Sequence, residues 1–356
     1  MPEITVIIGL GLIMGLVFVL PFSVRWVEEE LEAFLLVMGC LAVTMSGLWS
    51  WHLIREALTE PVKISATVLV FGFLFRQCRD VIRNRVSQLA SGLGFPSFLF
   101  ALVVGLGIVS SVVTAIIAAL VLAEVISGLR MEKDKERSVV ILACYSIGLG
   151  AVLTPIGEPL STIVTAKLSG PRHAAGFFFL ARLLWPWIVT GILLLGLLAA
   201  RFVGRQVSIE ESLTEDVPEG YSDIALRAAK VYAFVAALLL LGHGFTPLVD
   251  RYLVRMPEAA LYWVNMVSAI LDNATLAAAE ISPLMSLQKI QFLLMGLLIS
   301  GGMLIPGNIP NIICARKLGI TSREWAGLGV PLGLAMMLAY FVFLQLAARS
   351  TGLAPH

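Results

Sequence analysis

The stretch ILDNATLAAAEISP, residues 270–283, places Asp272, Asn273, Thr275 and Glu280 inside a long apolar run. A carboxylate stranded in hydrocarbon costs ~2.5–3.5 kcal/mol even on the lenient insertion scale. Asp272 and Asn273 therefore need water, a counter-charge or a bound ion. On one continuous helix, Asn265, Asp272 and Thr275 fall near one face, and Glu280 shares that face about two turns beyond Asp272. Carboxylate, amide and hydroxyl oxygens suit a hard cation. A buried carboxylate that takes either a proton or that cation gives the simplest exchange chemistry. The plainer reading is an Asp held for packing by a basic partner, for which Arg182 in FLARLLWPW is the intramembrane candidate. Glu280 also has a plainer reading, because Ser282-Pro283 marks the end of the span.

Two further segments carry polar groups between proline and glycine. TPIGEP, residues 154–159, offers Thr154 and Glu158, with Ser161 and Thr162 just after it. IPGNIPN, residues 305–311, offers Asn308 and Asn311. Proline removes a backbone donor and glycine lets the chain turn, so each segment breaks a helix and frees carbonyl oxygens. Such backbone is tolerated at membrane depth only inside protein or against a watery cavity. Ser110, Ser111 and Thr114 stand in the first half where Asp272 and Asn273 stand in the second. Hydroxyls in that setting can also simply bond a carbonyl one turn back. Glu124 lies toward the end of its span, and His243 and Asp250 flank another span end. Trp185, Trp187 and Trp325 suit an aromatic belt.

The elements that position these groups follow from apolar runs of about 20 residues. The chain has 356 residues, 58% hydrophobic and 14% charged, with a mean hydropathy of +0.92. Soluble domains carry roughly 25% charged residues, so this composition belongs to an integral membrane protein. The expected fold is all-α and polytopic, with about eight full spans. Residues 4–22, 31–51 and 61–75 give the first three. The first has no basic leader or small-residue cleavage site and reads as a retained span. Residues 76–94, with Arg76, Arg79, Arg83 and Arg85 among apolar residues, read as an interfacial amphipathic helix. Residues 96–128 are too long for one upright span. Residues 138–168 and 288–318 each read as a re-entrant hairpin of two half-helices. Full spans follow at 174–203, 224–246, 257–285 and 325–347.

The second half repeats the order of the first. GEPLSTIVTAKLSG, residues 157–170, lines up without gaps on GNIPNIICARKLGI, residues 307–320, with Gly157, Ile163 and Lys167-Leu168 matched. SVVTAIIAA, residues 111–119, lies opposite DNATLAAAE, residues 272–280, sharing Thr114/Thr275 and Ala118/Ala279. Counting crossings puts the hairpins on opposite faces, the inverted repeat of secondary transporters, whose site lies at discontinuous helices near the midplane. The expected organisation is scaffold spans and the interfacial helix in 1–95, a first transport repeat in 96–203, a polar linker in 204–223 and a second repeat in 224–356.

Other function classes find little support. Net charge is +1, with no basic tail, so no nucleic acid partner is expected. Cys40, Cys78, Cys144 and Cys314 are scattered and read as small core residues. The four histidines are far apart, HExxH is missing and so is GxxxxGK[ST], so neither a zinc enzyme nor an ATP-driven pump is expected. No enzyme activity and no cofactor is expected beyond the transported cation, sodium first, and protons. The alternative is sodium-coupled carriage of a small anion such as a carboxylate or arsenite, held at half-helix N-termini.

TPIGEP, DNATLAAA and SGGMLIPGNIPN resemble the motifs of the ion transporter superfamily. That superfamily includes NhaD-type sodium/proton antiporters, arsenite-pump subunits and dicarboxylate/sodium symporters. The resemblance is closest to a prokaryotic family described as cation transporters. It implies cation and proton binding at Thr154, Glu158, Asp272, Asn273 and Thr275. It further implies a homodimeric scaffold, a moving transport domain and a multi-pass location in the cell's inner (cytoplasmic) membrane. The Ser-Asn-Thr signature of dicarboxylate carriers is absent from both tips, and one span rather than three precedes the second motif-bearing span.

Overall fold

The computed structural model describes residues 3–24, 26–27, 30–129, 131–203, 220–248, 251, 256–271 and 273–350. Asp272, Asp250 and linker residues 204–219 lie outside the described residues, as do the side chains of Thr275, Arg79, Arg83 and Arg85. The described residues are helical, without strands. Among them, five helices are long and apolar enough to cross a membrane: Ile4–Pro21, Phe95–Val113, Phe179–Arg201, Tyr221–Leu248 and Ser322–Ala348. Shorter apolar helices cover Leu31–Ser46, Ala115–Gly128 and Leu287–Ser300. This is the make-up of a multi-pass helical membrane protein.

Helix α1 (Glu3–Ser23) is followed by α2 (Leu31–Ser46), which ends where Gly47 turns to φ 69°. The Ser50 hydroxyl accepts the Leu53 amide at 3.1 Å and caps α3 (Trp51–Leu93). The sequence splits this stretch into a span and a separate interfacial helix. It is instead one helix of 43 residues, roughly 65 Å long. The polarity changes at Arg76, but Arg, Gln, Leu and Val all sustain a helix, so a change of polarity is not a stop signal.

The apolar run 96–128 is two helices, α4 (Phe95–Val113) and α5 (Ala115–Gly128). They part at Thr114, whose φ of 83° lies in the left-handed region. Then come α6 (Lys133–Ala151), a non-helical tip, and α7 (Pro159–Lys167). Helix α8 (Phe179–Leu198) closes the first half and runs on as a π-turn at Ala199–Val203. The second half begins with α9 (Tyr221–Leu248). Helix α10 (Glu258–Val264) tightens to a 3₁₀ segment (Asn265–Ala269) and breaks before α11 (Asn273–Glu280). Asn265 and Thr275 therefore do not lie on one continuous helix, as the spacing suggests, and Asp272 lies outside the described residues. Helix α12 (Leu287–Ser300), a second tip and α13 (Ile309–Leu318) precede α14 (Ser322–Ser350).

The packing pairs these pieces across the chain. Helix α4 lies on α6 and α8, and α10 with its 3₁₀ segment lies on α12, which lies on α14. The short helix α7 packs on α11, while α13 packs on α5. Helix α9 lies against α2 and α3, and α3 also packs on α5. Lys317 pairs with Glu124 between α13 and α5, and Arg316 pairs with Glu32 on α2. Both cations sit in the last turn of α13, where the helix dipole favours them. Glu124 is thus an ion-pair partner inside the fold.

Candidate functional site

Both tips share one construction, although the second includes a 3₁₀ turn at Ile305–Gly307. In the first, the Ser161 hydroxyl donates to the Thr154 carbonyl at 2.7 Å. In the second, the Asn311 amide donates to the Leu304 carbonyl at 2.9 Å, across the same spacing of seven residues. The residues that open the following helices share one extended conformation: Glu158 has φ −157° and ψ 160°, Asn308 φ −155° and ψ 146°. A proline at the start of each helix costs nothing there, because that amide has no intrahelical partner. Gly157 and Gly307 precede them. A Cβ on Gly157 would strike the Ala151 backbone, and one on Gly307 would strike the Gly301 backbone. Only glycine lets each tip fold back so closely on the end of its own first arm.

The first tip is tied to the break between α4 and α5. Thr154 donates to the Ser111 carbonyl, and the Ala115 amide donates to the Gly157 carbonyl at 2.9 Å. The Thr114 hydroxyl accepts the Ile117 amide at 3.4 Å and caps α5. A β-branched residue at positive φ is strained by ~1–3 kcal/mol, and such strain gathers at functional sites. The second tip is held by Asn311, which also donates to the Gly301 carbonyl at 2.9 Å. Trp325 adds a bond from its indole nitrogen to the Gly302 carbonyl at 3.1 Å. Trp325 is fully buried, which corrects its reading as an aromatic-belt residue. Its N–H finds its partner inside the fold, not among headgroups.

These breaks meet at a cavity of about 450 Å³. Thr114, Glu158, Asn273 and Asn308 line it, and they stand at the N-terminal ends of α5, α7, α11 and α13 respectively. Glu60 of α3 completes the polar lining, and Thr162 contributes from the first turn and a half of α7. Each helix N-terminus carries roughly half a positive charge. The cavity thus joins four such ends to two carboxylates and two amides.

Of the residues singled out from the sequence, Thr114, Glu158, Thr162, Asn273 and Asn308 come together on this cavity. Thr154, Ser161 and Asn311 are buried and hold the tips in shape. Ser111 bonds its hydroxyl to the Ile108 carbonyl at 2.7 Å, the local use open to any hydroxyl in a helix. Arg182 is exposed at the start of α8. His243 bonds the Leu239 carbonyl at 3.0 Å and lies 3.8 Å from Glu56.

Glu60 was not singled out, since nothing in EALTEPVKI marks it as facing the distant tips. A second buried polar cluster also emerges. The Asn265 amide donates to Glu280 at 3.0 Å, the Ser268 hydroxyl donates to Asn273, and the Ser300 hydroxyl donates to the Asn265 carbonyl at 2.7 Å. Asn265 and Glu280 were visible as polar residues in an apolar run; their pairing across the break was not.

A family model described as a protein of unknown function, DUF1646, matches residues 7–347. The chain belongs to that family. No curated protein matches it.

Proposed function

We propose that this member of the DUF1646 family is a secondary active transporter that exchanges a small cation, sodium first, for protons. The observation that carries the reading is the cavity where Thr114, Glu158, Asn273 and Asn308 meet at four broken helices. Polar groups on discontinuous helices, inside a chain this apolar, are how secondary transporters hold ions near the midplane. Intramembrane carboxylates are functional by default.

The repeated construction supports an inverted repeat with about eight full spans and two re-entrant hairpins. Helix α7 has 9 residues and α13 has 10, so each rises roughly 14–15 Å, half of a ~30 Å hydrocarbon core. Each packs on the broken helix of the other half, α7 on α11 and α13 on α5. The matched bonds inside the tips carry the same symmetry. This arrangement agrees with the resemblance to the ion transporter superfamily. A scaffold of α1–α3 with α9, a homodimer and an inner-membrane location belong to the same proposal.

Ligand chemistry favours the cation. The cavity presents carboxylate, amide and hydroxyl oxygens, which suit a hard cation. A carboxylate can take a proton in the cation's place. The second reading, sodium-coupled transport of a small anion, draws on the same four N-termini, which suit an anion once the acids are neutralised.

Purified protein in liposomes, with an internal pH dye, separates them. An imposed sodium gradient should change internal pH with no permeant anion present, and Glu158→Gln should weaken the response. A response that requires an added carboxylate or arsenite would replace the first reading with the second.

A further inference from the structure

Among the described residues, Glu280 is a buried acid that the cavity does not use. Glu280 ends α11 and is 1% exposed; Asn265, in the 3₁₀ segment before the break, is fully buried. Neither lines the cavity. The Glu280 Oε2 accepts one bond, from Asn265 Nδ2 at 3.0 Å, while Glu280 Oε1 and Asn265 Oδ1 have no hydrogen-bond partner. Two buried oxygens without a donor are the reverse of ordinary burial, in which such atoms are paired.

Among the described residues, the charged groups on the elements around α11 are otherwise engaged. On α7, Lys167 donates to the Ile281 carbonyl at 3.2 Å, and Glu158 faces the cavity. On α9, Lys230 pairs with Glu30 at 3.3 Å, His243 lies beside Glu56, and Asp223 bonds the Gly220 amide. On α12, Lys289 donates to the Met256 carbonyl at 3.0 Å. On α10, Glu258 accepts from Gln288, and Tyr262 donates to the Met337 carbonyl. Among the described residues no cationic side chain pairs with Glu280. A single amide donor does not offset the desolvation of a bare carboxylate, so a buried acid of this kind holds a positive charge of its own.

We propose that Glu280 and Asn265 form a second site for a univalent cation, a proton or an alkali-metal ion, separate from the cavity. The unpaired oxygens supply the ligands, since both proton and alkali cation are taken up by oxygen acceptors. The site spans the break in the second half: Asn265 lies before it and Glu280 after it. Asn265 also receives the Ser300 hydroxyl from the end of α12. Through Ser268 the same 3₁₀ segment holds Asn273, which lines the cavity. Filling the second site therefore bears on the geometry of the first.

The test needs no transport and so stands or falls apart from the proposed exchange. Purified protein in lipid nanodiscs is examined by infrared difference spectroscopy after a pH jump and after a sodium jump. If a proton occupies the site, a carboxylic-acid band responds to pH. If an alkali ion does, a carboxylate band responds to sodium. Either band should be missing from Glu280→Gln and kept in Glu158→Gln. Should Glu280→Gln fail to fold, Asn265→Ala removes the one donor to the acid and should shift the same band. Carboxyl bands that are unchanged in Glu280→Gln, or in Asn265→Ala where that variant is used, overturn the proposal.

Discussion

Thr114 shows how much one residue can carry at this site. Its φ of 83° separates α4 from α5, its hydroxyl caps α5, and its side chain lines the cavity. Glycine would accept that backbone without strain, so Thr114→Gly should relieve ~1–3 kcal/mol of it. Loss of the cap is small, since glycine at such a position costs only a few tenths of a kcal/mol relative to threonine. The expected outcome is a protein at least as stable to thermal unfolding that exchanges ions more slowly, because the break is no longer held in one shape. A variant that is clearly less stable would show that the conformation is not strained. This break was not legible in the sequence. SVVTAIIAA contains neither proline nor glycine, and a β-branched residue is the last type expected at positive φ. Glu158 and Asn308 were legible, because the prolines and glycines around them announce a helix start.

At the scale of elements, the two broken segments followed the gapless alignment of 157–170 on 307–320. Pro159 and Ile309 begin the two short helices at matched positions, and the bonds from residues 161 and 311 fall in the same register. The other alignment, Thr114 on Thr275, is out of step. It sets Ala115, the first residue of α5, opposite Leu276, three residues past the start of α11. Small apolar residues match in several registers, so they carry little information about the break. The length of α3 was hidden for a related reason, since charge pattern marks water and lipid, not helix ends. The matched lysines diverge as well: Lys167 bonds the Ile281 carbonyl, whereas Lys317 pairs with Glu124. Both partners of the second pair have side chains only 12% exposed. Breaking a buried pair on one side costs about 3–5 kcal/mol, because it strands the other charge. Lys317→Met should destabilise the protein by roughly that much, and adding Glu124→Gln should recover most of it. Thermal unfolding in detergent measures both; two additive losses would mean the pair does not hold α13 on α5.

Over the whole molecule, the chain brings the ends of four separated helices to one cavity and sets Glu60 of the long α3 against them. The membrane class was legible from composition alone. That Asn273 and Asn308 share one cavity was suggested only by the repeated order of elements, since they come from different elements of the second half. The central claim is that one cation and the proton compete there for the same carboxylates. Calorimetric titration of sodium into the purified protein, repeated in two buffers of different ionisation enthalpy, reads the protons released as the ion binds. The account predicts that sodium binding releases protons, that its affinity weakens as pH falls, and that Asp272→Asn and Glu158→Gln each reduce the release. Sodium binding that releases no protons and does not vary with pH would contradict it.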